Sequence, residues 1–197
     1  MGKEVIFHDD KMIKSRKFEM DFLLFCMAVS EKYHKCKNGI YYIGGVFMFS
    51  MLSSIPYAGA EISGKPMYPD ISGNVMFYEV YGGTLVVASV RNLPDENEFH
   101  GFHVHDERSC KSMMGGGHYN PMSNPHPQHA GDMPPLLAND GMAFSAFYTN
   151  RFYPEDVIGK TVMIHADTDD FVSQPSGDAG DIIACGEIKR WEDMESE

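Results

Sequence analysis

Gly73-Asn-Val-Met-Phe-Tyr-Glu-Val80 and Thr84-Leu-Val-Val-Ala-Ser-Val90 flank the glycine pair Gly82-Gly83. Both runs carry β-branched and aromatic residues, which suit a pleated, half-buried surface. Two such runs separated by glycines read as a β-hairpin. Working outward, Phe102 to His105 reads as a strand. So do Met142 to Thr149 behind the turn Asp140-Gly141, Thr161 to His165, and Ile182 to Lys189. Two long stretches rich in Gly, Pro, Asn and Asp interrupt the series, from Asp106 to Asn139 and from Ala166 to Asp181. Loops longer than about 15 residues inside a compact domain usually carry function. No internal repeat is visible. Short strands joined by turns, with little helix, predict an all-β antiparallel sandwich or barrel with two long functional loops.

The 197 residues suit one domain plus additional sequence. Residues 1–58 read as an N-terminal extension and 59–197 as the folded domain. In the extension, Lys11 to Lys17 is basic and Phe22 to Val29 is apolar. A second apolar run, Ile40 to Phe49, follows Lys35-Cys-Lys37. Each apolar run is about half of the roughly 20 residues a membrane helix needs. The second run, its basic flank and Ala58-Gly-Ala60 resemble a secretory signal with a cleavage site. The competing reading places the true start at Met20, Met27 or Met51. Cytoplasmic and exported locations therefore both stay open.

The formal net charge of −12 argues against nucleic acid or an anionic membrane as partner, because neither attracts so acidic a surface. The four cysteines, Cys26, Cys36, Cys110 and Cys185, are too few for a disulfide scaffold and form no C-x-x-C pair.

Six of the nine histidines fall between His103 and His165. In His103-Val-His105, side chains two apart on a strand point to the same face. The pair therefore presents two imidazoles together, as a nitrogen-loving metal requires. Alone, an H-x-H pair is weak evidence. The long loop adds Gly115-Gly-Gly-His118-Tyr-Asn-Pro121, then His126, His129 and Asp132, with seven, two and two residues between successive ligands. Three nitrogens and one oxygen can close a tetrahedron around zinc. Prolines at 121, 125, 127, 134 and 135 reduce the entropy this loop loses on ordering. It has few apolar residues, so a metal is its expected organiser. His165 ends its strand on the face of Thr161 and Met163, by period-two counting. Beside His103, His105 and His118 it reads as a fourth ligand of a site made of imidazoles alone. Copper in such a site can cycle between two oxidation states. Asp169 is a candidate to accept the outer N–H of a metal-bound histidine.

These residues resemble the copper–zinc superoxide dismutase family from about Ala60 to Lys189. The matching motifs are Gly101-Phe-His-Val-His105, Gly117-His-Tyr-Asn-Pro121, His129-Ala-Gly-Asp132, His165 with the aspartates after it, Gly177-Asp-Ala-Gly180 and Ala184-Cys-Gly186. The Gln174-Pro-Ser-Gly177 wording looks most like members from Gram-positive bacteria. The resemblance implies an eight-stranded Greek-key, immunoglobulin-like sandwich and superoxide as substrate. It implies copper on His103, His105, His118 and His165, and zinc on His118, His126, His129 and Asp132, with His118 bridging. It also implies that Asp169 links His103 and His126, and that Cys110 pairs with Cys185. Relatives assemble in different ways, so the resemblance leaves a homodimer open.

The sequence departs from the pattern in two places. Where the family has an arginine that guides the anion, two residues before Ala-Cys-Gly, this chain has Ile182. The loop before it holds Asp167, Asp169, Asp170, Asp178 and Asp181 and no Lys or Arg, an arrangement that repels superoxide. Arg108, Lys111 and Lys160 offset this only if they stand near the mouth. The expected function is superoxide dismutation, slower than in typical members. The alternatives are a copper-binding or copper-delivery protein on the same scaffold, and a zinc-only structural module.

Overall fold

The computed structural model describes residues 55–94, 99–111 and 116–195. The basic stretch and both apolar runs of the N-terminal extension, with the alternative starts Met20, Met27 and Met51, lie outside the described residues. The strands are β1 (Ala58–Gly64), β2 (Ser72–Val80), β3 (Gly83–Arg91), β4 (Phe99–His100), β5 (Phe102–His105), β6 (Leu136–Leu137), β7 (Ala143–Thr149), β8 (Thr161–His165), β9 (Ile182–Glu187) and β10 (Lys189–Arg190). Two single-turn helices, α1 (Pro154–Val157) and α2 (Trp191–Met194), complete the described elements.

The expected hairpin is β2–β3. It is paired from Ser72↔Arg91 to Val80↔Gly83, and Gly82 takes φ +82° in the two-residue turn. That conformation costs a residue with a Cβ more than it costs glycine. The main sheet is eight-stranded and runs β5-β8-β9-β1-β2-β3-β7, with β10 added beside β1. Every pairing is antiparallel. The chain crosses from one end of this path to the other between β3 and β5, and again between β7 and β8. These are Greek-key connections.

Val75 and Phe77 of β2 and Val86, Ala88 and Val90 of β3 share one core with Phe102 and Val104 of β5 and Val162 and Ile164 of β8. Strands so far apart along the path meet only if the sheet curls back on itself. Each large apolar side chain buried there contributes roughly 1.5–3 kcal/mol. The Phe77 ring meets Phe152 edge-on, with centroids 6.2 Å apart.

The register of β5 on β8 decides where the histidines go. Phe102 faces Ile164 and Val104 faces Val162, while His103 faces Met163 and His105 faces Thr161. Directly opposed residues of an antiparallel pair lie on the same side of the sheet. The first two pairs are in the core, so both histidines stand on the sheet's outer face. His165 follows Thr161 and Met163 onto that face, although the register shifts after Ile164.

β1 sits in the middle of the path. Ala58, Gly59 and Ala60 are inside it, paired with Phe77, Met76 and Val75 of β2. A cut at Ala58-Gly-Ala60 would remove these registered pairs.

A candidate two-metal centre on the outer face

β5 is the last strand of the path, and the long loop caps its open edge. Val104 N–H donates to Gly131 O at 2.9 Å, Tyr119 N–H to Val104 O at 2.7 Å, and Gly131 N–H to Tyr119 O at 2.8 Å. Isolated bridges pair His103 with Asp132 and His105 with His118. Backbone pairing thus carries His118 and Asp132 to the strand that bears His103 and His105. From the other side, an Arg151 guanidinium nitrogen approaches the carbonyls of Pro127, His129 and Asp132 at 3.0, 3.1 and 3.4 Å.

All seven residues singled out as ligands come together, in two groups that share His118. One is His103, His105, His118 and His165; the other is His118, His126, His129 and Asp132. Within each group the ligand atoms lie within 4.8 Å of one another. In the first group His105 Nε2 is 3.3 Å from His165 Nε2. In the second, His129 Nδ1 is 3.5 Å from His118 Nδ1 and 3.3 Å from Asp132 Oδ1. Two ligands held about 2.05 Å from one tetrahedral ion stand about 3.3 Å apart. His118 Nδ1 and Asp132 Oδ1 are closer, at 2.6 Å, and share a hydrogen bond.

The hydrogen bonds also fix which nitrogen each ring offers. His105 Nδ1 is 3.2 Å from Gly116 O, and His165 Nδ1 is 3.2 Å from Gly180 O. Both rings therefore turn Nε2 inward. His103 and His126 do the reverse, because Asp169 takes their Nε2 atoms at 2.7 and 2.9 Å. This is the link the resemblance implied for Asp169. His103 Nδ1, His126 Nδ1 and His118 Nε2 are buried and make no hydrogen bond, although Asp132 Oδ2 lies 3.2 Å from His126 Nδ1. An orphaned buried nitrogen is costly unless something binds it. Here each orphan points into one of the two groups, so the donor set fits metal ions.

Electrostatics prepare the same atoms. Burial, reinforced by neighbouring histidines, lowers the His105 pKa to about 3. Burial and His103 lower that of His165 to about 4. Burial also lowers His103, against the pull of Asp169. These rings are neutral at physiological pH, the form that ligates metal. Burial opposes the Asp169 charge, but hydrogen bonds from His103, the Phe171 N–H and His126 outweigh it and hold the carboxyl well below the usual range. Burial likewise opposes the Asp132 charge, while His118, His126 and His129 favour it, and its pKa is lowered overall.

The second loop is fitted around this network. Gly177 takes φ +72°, and a Cβ there would collide with the Asp169 carboxylate and the His126 ring. Cys110 and Cys185 form a disulfide that ties the first loop to β9. Lys65 Nζ donates to Cys110 O, and Cys110 N–H donates to Glu187 at 3.2 Å.

The departures are also placed. Ile182 pairs in register with His165 and is half-buried, while Asp167, Asp170, Asp178 and Asp181 are exposed. Lys160 is tied to Asp106 at 2.6 Å and lies over the Tyr119 ring at 4.4 Å.

Sequence reasoning passed over His100. It is fully buried, with Nδ1 3.0 Å from His165 O and Nε2 3.3 Å from Pro94 O. Its place directly before the Gly-Phe-His-Val-His motif was the available signal. It also passed over Arg151 and Gln174, whose partners are distant in sequence.

A curled antiparallel barrel whose outer face brings four imidazoles and a three-histidine, one-carboxylate group together at a shared histidine defines a two-metal protein of the copper-and-zinc kind. The family model described as copper/zinc superoxide dismutase matches residues 71–188. A superoxide dismutase [Cu-Zn] of Legionella pneumophila is 34% identical over 163 residues, covering 78% of this chain and 99% of that protein. Superoxide dismutase [Cu-Zn] 2 of Aquifex aeolicus is 31% identical over 140 residues, covering 61% and 80%. An extracellular superoxide dismutase [Cu-Zn] of Rattus norvegicus is 32% identical over 137 residues, covering 61% and 55%. The chain belongs to the copper/zinc superoxide dismutase family, whose metals are copper and zinc and whose sandwich architecture is shared with many unrelated domains.

Proposed function

We propose that this chain dismutates superoxide, with copper on His103, His105, His118 and His165 and zinc on His118, His126, His129 and Asp132, and that it does so more slowly than typical members of its family. The observation that carries this reading is the sharing of His118 between the two groups. Two superoxide anions and two protons give one O2 and one H2O2, so no outside oxidant or reductant is needed. When bound, copper supplies a one-electron centre and zinc a fixed positive charge.

The chain's own residues do the rest. Gly116 O and Gly180 O hold His105 and His165 with Nε2 inward. Asp169 fixes one ring in each group, His103 and His126, so the groups keep a constant relation. Asp132 engages His118 Nδ1 and leaves Nε2 as the buried ring atom facing the four-imidazole group. His118 Nε2 is the protein atom placed to hold a proton beside the substrate.

The slower rate rests on charge. Opposite His165 stands the apolar Ile182, and the exposed residues of the adjoining loop include aspartates and no cation. The ammonium of Lys160 is paired with Asp106. An anion therefore meets no fixed positive group on its way past this loop.

The same observation favours a second reading, a copper-binding or copper-delivery protein without useful turnover. Metal content and dismutase activity measured on one sample separate the two. Full loading with copper and zinc and no superoxide consumption would sink the enzymatic reading.

A further inference from the structure

His126 is held differently from the other histidines of its group. Its backbone lies between Pro125 and Pro127, which offer no N–H to neighbouring acceptors. The residue is nearly fully buried, so its own N–H and C=O need partners. Both find them in one side chain 48 residues away. His126 N–H donates to Gln174 Oε1 at 3.0 Å, and Gln174 Nε2 donates to His126 O at 2.7 Å. A primary amide offers one acceptor and one donor in the arrangement of a peptide group. Gln174 thus pairs with His126 as a neighbouring strand would. Three residues on, Gly177 packs against the His126 ring, and its N–H returns to Ser173 O at 2.8 Å.

We infer that Gln174 is a positioning residue for zinc. It fixes the backbone of His126, while Asp169 of the same loop fixes the ring through Nε2. With both ends of the residue held by one loop, Nδ1 has a single direction, toward His118, His129 and Asp132. Without Gln174 the ring keeps its contacts with Asp169 at Nε2 and with Asp132 Oδ2 at 3.2 Å from Nδ1, but the backbone that carries it is no longer fixed. Gln174 Nε2 also reaches Val172 O at 3.4 Å, but its hydrogen bonds include none to a ligand atom, and it acts on the zinc group through the main chain of His126. The inference rests on reading this group as the zinc site.

The test uses the full chain with its disulfide intact, as wild type, Gln174→Met and Gln174→Ala. Met keeps the length of the side chain without its hydrogen bonds. Ala removes both. Zinc affinity is measured by chelator competition and copper affinity on the same preparations. Cobalt(II) absorption at the zinc group reports ligand geometry directly. The expected result is a fall of about tenfold in zinc affinity in both variants, the lower end of the range for outer partners of metal ligands. Copper affinity should change by less than about threefold, and the cobalt band should shift or weaken. General loosening of the fold would lower both affinities together, and that outcome overturns the positioning role. So does zinc affinity within about threefold of wild type in both variants. If wild type itself fails to bind zinc tightly, the site reading falls and the inference falls with it. If Gln174→Ala does not fold, Gln174→Met decides alone.

Discussion

Replacing Ile182 by arginine tests the charge argument most directly. Ile182 and His165 are registered partners across β8 and β9, and such Cα atoms lie about 5 Å apart. A guanidinium introduced at 182 would then stand roughly 6 Å from an anion beside the His165 ring. At that distance two unit charges interact by about 0.7 kcal/mol in water and about 2.8 kcal/mol at an effective dielectric near 20. Between those limits, about 1.4 kcal/mol is taken as the working value. That corresponds to about a tenfold faster second-order reaction.

The assay is superoxide decay by stopped flow or pulse radiolysis, on protein verified to hold both metals, at about 0.01 M and 0.15 M salt. Screening lengths there are about 30 Å and 8 Å. On the charge argument the aspartates repel the anion in the wild type, so added salt is expected to speed the reaction. In Ile182→Arg the guanidinium attracts it, so salt should have less effect or slow the reaction. Asp181→Asn provides an independent check, since removing one rim charge should raise the low-salt rate about threefold. A rate for Ile182→Arg within twofold of wild type, with the same salt response, would refute the steering argument.

Other expectations concern the frame of the site. Cys110→Ser opens the disulfide that spans 75 residues. Chain-entropy arguments put the loss at about 4 kcal/mol, to be read by urea unfolding of the metal-free protein. Asp169→Asn removes the carboxylate shared by His103 and His126. Affinity for both metals should fall about 10- to 100-fold, and chelator competition that finds only zinc affected would contradict a two-sided role. The metal-free protein should also lose stability in mild acid. His105 and His165 are lowered to about 3 and about 4, whereas unfolded histidine titrates near 6.5. The unfolded state therefore binds more protons as pH falls below about 6.5, and the folded state takes them up only near the lower values. Each histidine should cost roughly 2 kcal/mol between pH 6.5 and 5. Denaturation midpoints that stay flat over this window would count against buried neutral rings.

Much of this was legible because the relevant physics is local. Val, Phe and Tyr around Gly82-Gly83 specify a hairpin within 20 residues, and it forms, with Gly83 already paired to Val80. His103 and His105 share a face because a strand alternates, whatever lies beyond it. Other features had no local signal. That β1 occupies the centre of the sheet follows from pairing with β2, β9 and β10, which no stretch of β1 encodes by itself. The two-residue strands β4 and β6 exist only because Phe99 meets Leu137 and His100 meets Leu136. His100, Arg151 and Gln174 act on partners as much as 65 residues away. Their residue types alone do not separate them from ordinary core or surface positions.

The placement of the histidines explains how one chain reconciles a dry core with a polar site. Had β5 paired with β8 one residue out of register, His103 and His105 would point into the cluster now filled by Phe102 and Val104. Because they point outward, the barrel completes its core without any metal ligand. The loops then create a second buried layer, sealed by Gly131 and Tyr119 on the β5 edge and by Asp169 across both groups. That layer is polar. It depends on satisfied nitrogens where the core depends on excluded water, and two of its nitrogens, His103 Nδ1 and His118 Nε2, make no hydrogen bond within the protein. Stability and chemistry are therefore divided between two faces of one sheet. A substitution at Ile182, where β9 begins beside His165, is therefore expected to alter what reaches the site while leaving the core on the other face of the sheet in place.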